Sequence, residues 1–132
     1  MNMNHELVPV LGNVITSIRI LDADNYDGTE TRNFLEIKFN NNKTLIIRDT
    51  GQACCEERYM TTDGTLSDYV GATFLGMELK ETVGVSDEYN DDIAHDTAFL
   101  EINTSKGGFT VVNHNNHNGY YAGFDINTLI LG

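Results

Sequence analysis

The chain contains no tryptophan, one proline, two cysteines and only 8 lysines and arginines in 132 residues. Each shortage removes a class of explanation. With so few cations the chain cannot neutralise a phosphate backbone and release its counterions, which excludes nucleic acid as a direct ligand. No apolar run is long enough to cross a bilayer, so no membrane role is expected. The first residues lack a basic flank followed by an apolar core, so a cytosolic protein without a secretory signal is expected. The two cysteines, Cys54 and Cys55, are neighbours, and the usual disulfide geometry does not suit adjacent residues. In a reducing cytosol they stay thiols. Phosphate-cradling glycine loops are missing too: Lys106-Gly107-Gly108 has the composition of a turn and lacks the spacing of a nucleotide-binding loop.

Acid is what the chain has in excess. Twenty Asp and Glu give a formal net charge of -12. Such a charge keeps a protein soluble through self-repulsion. It also suits a surface that competes for a positively charged partner groove. The acids gather at 22–30, 56–68 and 78–96. A hydrophobic content of 40% with six Phe and six Tyr suits one folded domain of this length. The domain is expected over residues 11–132, behind a flexible N-terminal tail at 1–10.

Period-two alternation dominates the pattern. Asn13–Leu21, Phe34–Phe39, Thr44–Arg48, Thr73–Val85, Thr97–Asn103 and Phe109–Asn113 read as strands, and Gly119–Ile126 as a last one. Asn40-Asn41-Asn42-Lys43 reads as a hairpin turn, because Asn tolerates left-handed backbone. Asp22–Thr31 reads as a loop and Ser86–Asp96 as a polar, mobile insertion. Thr65–Gly71 reads as a short helix, with Thr65 and Asp68 at capping-box spacing and Gly71 at the left-handed end. The expected fold class is α+β, mostly antiparallel β: six to seven strands in a curled sheet or sandwich with one short helix.

Two dense segments carry the candidate chemistry: Cys54-Cys55-Glu56-Glu57 and Asn113-His114-Asn115-Asn116-His117. Two thiolates and two imidazoles from Cys54, Cys55, His114 and His117 would close a tetrahedral structural zinc site. Adjacent strand residues point to opposite faces, so this set requires irregular backbone at both segments. The bland reading buries one cysteine as a small apolar residue and leaves the histidines on an exposed loop. A Cys55–His114 catalytic dyad is disfavoured, because carboxylates beside a thiol oppose the thiolate. No enzyme is therefore expected, and no catalytic residue. Asn118-Gly119-Tyr120-Tyr121 reads as a tight turn, or else as a tyrosine-lined contact surface.

The order Cys54-Cys55-Glu56, Leu66-Ser67-Asp68-Tyr69-Val70-Gly71 and Asn118-Gly119-Tyr120-Tyr121 resembles a small domain family widespread in bacteriophages and some bacteria. The likeness runs from Leu11 to Asn127. Residues 113–117 depart from it, since relatives carry an aromatic followed by Gly-Ser-Ser-like residues there. The resemblance implies a phage or prophage protein of β-rich fold, acting in the cytoplasm of a bacterial host. In size and acidity the chain is also similar to anti-CRISPR proteins, including inhibitors of type II RNA-guided nucleases. Those nucleases hold nucleic acid in positively charged channels. The functional expectation is accordingly an acidic phage inhibitor of a host defence protein, foremost a type II CRISPR nuclease. The alternative is a small-molecule binding protein that sequesters a nucleotide signal. Such a site needs convergent Arg or Lys, which ranks it second.

Overall fold

The alternating segments from Asn13–Leu21 to Phe109–Asn113 do become strands over their described residues, and the chain adds further strands where polar sequence hides them. Of the expected last strand, Gly119–Ile126, residues 119–123 lie outside the described residues, and the strand there runs over Ile126–Leu131. The computed structural model describes residues 4–22, 33–50, 56–62, 64–81, 85–87, 90–117 and 124–132. Among these residues run nine strands: β1 (Ile15–Asp22), β2 (Asn33–Phe39), β3 (Thr44–Asp49), β4 (Glu56–Thr62), β5 (Phe74–Glu81), β6 (Val85–Asp87), β7 (Asn90–Thr104), β8 (Gly107–His117) and β9 (Ile126–Leu131). One sheet has the order β1-β2-β3-β9; the other has β4-β8-β7-β5, with β6 beside β7. Every pairing is antiparallel. A single hydrophobic cluster takes side chains from both sheets, among them Leu35, Ile37 and Leu45 from one and Met77, Leu100 and Val111 from the other. The protein is a two-layer sandwich.

The α+β expectation is thus corrected to an all-β fold. No α-helix occurs among the described residues, only two single turns of 3-10 helix, at Asn4–Leu7 and Leu66–Tyr69. Thr65 stands at the N-cap of the second, yet its side chain makes no capping bond, and Val70 is already extended. One turn fixes several dihedral angles for little hydrogen bonding, so without a cap it does not propagate. Gly71 does adopt the left-handed conformation expected of it, with φ 90°. Of the acidic stretch read as a mobile insertion, the described residues 86–87 and 90–96 are also strand. Residues 90–96 continue β7, where β6 and β8 pair with them.

Two bulges set which residues face inward. In β5 the register slips between Phe74 and Gly76, so Phe74, Met77 and Leu79 are buried while Leu75 is 56% exposed. In β1 it slips between Ile15 and Ser17, which brings Ile15 and Ile18 to the same inner side. One extra residue shifts the period-two pattern by one, as a bulge must. The bulges lie close together, because Val14 bridges Thr73 and joins the edges of the two sheets. Four backbone bonds seal that corner, Ile15 N–H donating to Ala72 O and Gly71 N–H to Ile15 O among them, both at 2.8 Å.

Two residues of the N-terminal segment, Leu7 and Val10, are packed into the core. Leu7 and Val10 are completely buried in the common core, so the tail expected over 1–10 does not extend that far. The hairpin turn at 40–43 forms as expected, with Asn42 in left-handed backbone at φ 66°.

On the far side of the sandwich the edge strand β4 is held by a side chain. The Asn33 amide accepts from Met60 N–H at 2.7 Å and donates to Met60 O at 3.1 Å. It imitates a neighbouring strand for one residue. Asn33→Ala is expected to lose about 1–3 kcal/mol, the cost of leaving half-buried backbone groups unmade. Urea denaturation checks this, and an unchanged midpoint would remove the edge-capping role.

Candidate functional site

The inner face of the second sheet changes character along its length. Cross-strand rows run from Met77–Ile102–Phe109 and Leu79–Leu100–Val111 to Ala98–Asn113–Met60, and then to Asp96–Asn115–Arg58. Asp96, Asn113, Asn115 and Arg58 are all buried, as is Asp49 at the end of β3. Asp49 continues the inward parity of Leu45 and Ile47, and Arg58 that of Met60. Asn113 and Asn115 continue Phe109 and Val111, and Asp96 continues Ala98 and Leu100. Period two alone therefore places all five inside.

Arg58 and Asp49 meet across the gap between the sheets. Nη1 of Arg58 donates to both carboxylate oxygens, at 2.9 and 2.8 Å. The side chains are 7% and 5% exposed, so this is a fully desolvated pair. Asp49 also accepts the backbone N–H of Asp125 at 3.1 Å, which fixes the entry to β9. Asn113 donates weakly to Ala98 O at 3.4 Å while its Oδ1, almost fully buried, has no hydrogen-bond partner. A polar interior of this kind gives orientation to the two sheets at a cost in stability. Sequence reasoning overlooked these residues because it judged them by type, as loop or surface groups.

The residues proposed for metal stand differently. His114 lies in regular strand, paired with Tyr59 on one side and Thr97 on the other. Its ring stacks on Tyr59 with centroids 4.6 Å apart, and its Nε2 is 2.8 Å from the Thr61 hydroxyl oxygen. The pairing of β8 with both neighbours is unbroken through His117. The irregular loop that a joint imidazole pair requires is absent here, and a regular strand stands in its place. Cys54 and Cys55 lie outside the described residues, as do Asn118–Tyr121 and most of the 22–31 loop. Among the described residues no group of three His, Cys, Asp or Glu is placed to hold a metal ion. Of the zinc set, the described residues hold only the two histidine positions, both in regular strand.

The outer surface disposes of its cations internally. Of the eight basic residues, Arg19 pairs with Glu36 at 2.6 Å and Lys80 with Glu101 at 3.2 Å. Lys43 donates to Gly132 O and Lys106 to Val70 O. Arg58 is inside. Among the described residues, one groove of about 500 Å³ lies beside Tyr69, Phe99 and Val112, and another of about 600 Å³ along β9. Neither lining includes Lys, Arg or His.

The family described as a domain of unknown function, DUF7448, matches residues 6–126. The chain belongs to this family. The DUF7448 span includes Leu7 and Val10, in keeping with their place in the core. It ends on the first residue of β9. No curated protein and no solved structure matches the chain. No helix among the described residues is long and apolar enough to cross a membrane.

Proposed function

We propose that this DUF7448 domain is a non-enzymatic, acidic binding protein: a phage inhibitor that docks on a basic surface of a host defence protein, foremost a type II RNA-guided nuclease. The observation that carries this reading is the internal use of cations. Five of eight basic residues are bonded to the chain's own carboxylates or carbonyls, at separate places. The surplus acid of a -12 chain is then what the surface offers a partner. Such a surface speeds encounter with a positively charged channel of the kind these nucleases use to hold nucleic acid. The nucleotide-sequestering alternative gains nothing from these two grooves. Phosphate recognition calls for converging Arg or Lys, and both grooves are lined without them.

A cleavage assay tests the proposal. Excess domain, added to the nuclease before its target DNA, is expected to block cutting. Undiminished cleavage at every excess would dismiss the nuclease as partner.

A further inference from the structure

Among the described residues one of the four sheet edges has neither a neighbour nor a charge. The edge strands are β1 and β9 in one sheet; in the other they are β4 on one side and β5 with the short, Asp87-bearing β6 on the other. Strand β1 carries Arg19 and Asp22, β4 carries Glu56, Glu57 and Arg58, and β5 carries Glu78, Lys80 and Glu81. Charges on an edge deter a further strand, and β1 and β5 are additionally bridged to each other. Strand β9 reads Ile-Asn-Thr-Leu-Ile-Leu, with no charge, no glycine and no proline. Its partner on one side is β3; among the described residues nothing pairs with the other side. Opposite Ile130 and Thr128, the β3 residues Leu45 and Ile47 are fully buried, whereas Ile126, Thr128 and Ile130 are only half-buried. Among the described residues nothing closes the core along this flank. Leu129 and Leu131, on the outer face, are 47% and 48% exposed.

The groove of about 600 Å³ lies along this strand, lined by residues 125–130 and by Glu6. Its charged residues, Glu6 and Asp125, are both acidic. Glu6 is fixed beside the middle of the strand, where its carboxylate accepts from the Thr128 hydroxyl at 3.3 Å.

We infer that β9 is a β-augmentation site that accepts an extended segment of a partner protein in which apolar side chains alternate with Lys or Arg. The added strand would satisfy the free backbone edge, lay apolar side chains against Ile126 and Ile130, and set a basic side chain near Glu6. A second copy of the chain fits poorly. Antiparallel pairing of two β9 strands would bring both Glu6 carboxylates to the centre of a junction between two chains of charge -12. The inference deepens the proposed function, since it names the part of a basic partner that is bound.

The probe is a synthetic strand peptide alternating Val and Lys, titrated into the full chain and followed by backbone amide NMR. Shifts and slowed hydrogen exchange are expected at residues 126–131. Thr128→Lys, which turns a charge into the flank, should weaken binding at least tenfold. Glu6→Gln, which leaves the strand untouched, should weaken it about two- to fivefold. Absence of shifts at millimolar peptide, shifts confined to the groove beside Tyr69, or equal binding of a Val–Glu peptide would overturn the site. So would a dimer that protects β9 without peptide. A nuclease bound equally by wild type and Thr128→Lys would leave the proposed function standing and remove this site. Peptide binding at β9 without any effect on the nuclease would do the reverse.

Discussion

Deleting residues 1–10 is expected to leave the chain unfolded or barely folded. The segment reads as a polar tail, yet Leu7 and Val10 are 0% exposed and belong to the common cluster. Removing each large apolar side chain from a packed core costs the lost transfer energy plus the cavity left behind, about 2–5 kcal/mol for a leucine. Together the two residues amount to roughly 4–8 kcal/mol, comparable with the total stability of about 5–15 kcal/mol for a domain of this kind. Hydrogen bonds from Leu11 and Val10 N–H to Leu7 O, and from the Asn41 amide to Pro9 O, disappear as well. Thermal unfolding of the truncated chain followed by circular dichroism decides the matter. Leu7→Ala in the full chain, with an expected loss of about 2–5 kcal/mol, separates the packing effect from that of chain length. A truncated protein that melts like the wild type would contradict the placement of this segment.

Asp49→Ala should be nearly as damaging. It leaves the Arg58 guanidinium, 7% exposed, without the carboxylate that holds it across the two sheets. Breaking one partner of a buried ion pair costs about 3–5 kcal/mol, because a desolvated charge remains. Asp125 N–H loses its acceptor in the same step, which loosens the start of β9. Replacing both partners by apolar residues, Asp49→Leu with Arg58→Met, is expected to be far milder, within about 1–2 kcal/mol of the wild type on either side. Urea midpoints of the three proteins give the comparison. Equal losses in the single and double variants would mean that size at these positions, and not charge, sets the stability.

Much of this fold is legible in the residues. The hairpin at 40–43, the strands around it and the turn before Gly107 follow from alternation and turn chemistry. Two things were concealed. Bulges at 15–17 and 74–76 shift the inward parity by one, so strict alternation misplaces Leu75. Polar residues in Asn90–Asp96 and Asn113–His117 suggest loop, while long-range pairing makes both segments strand. In such ladders the cross-strand neighbour decides, and local propensity yields to it. The histidine positions of the zinc set belong to the second of these segments. Read as a loop in the sequence, residues 114–117 run as regular strand paired on both sides. The buried row of Arg58, Asn115 and Asp96 was within reach, since each continues the parity of apolar residues next to it. Recognising it required trusting the period over the residue type.

The account rests on an acidic surface seeking a basic one, and the affinity for the guide-free nuclease as a function of salt tests that directly. Calorimetric titration across an about tenfold range of ionic strength should show tight binding at low salt that weakens steadily as the charges are screened. Binding that is absent at the lowest salt, or that holds constant as salt rises, would contradict it.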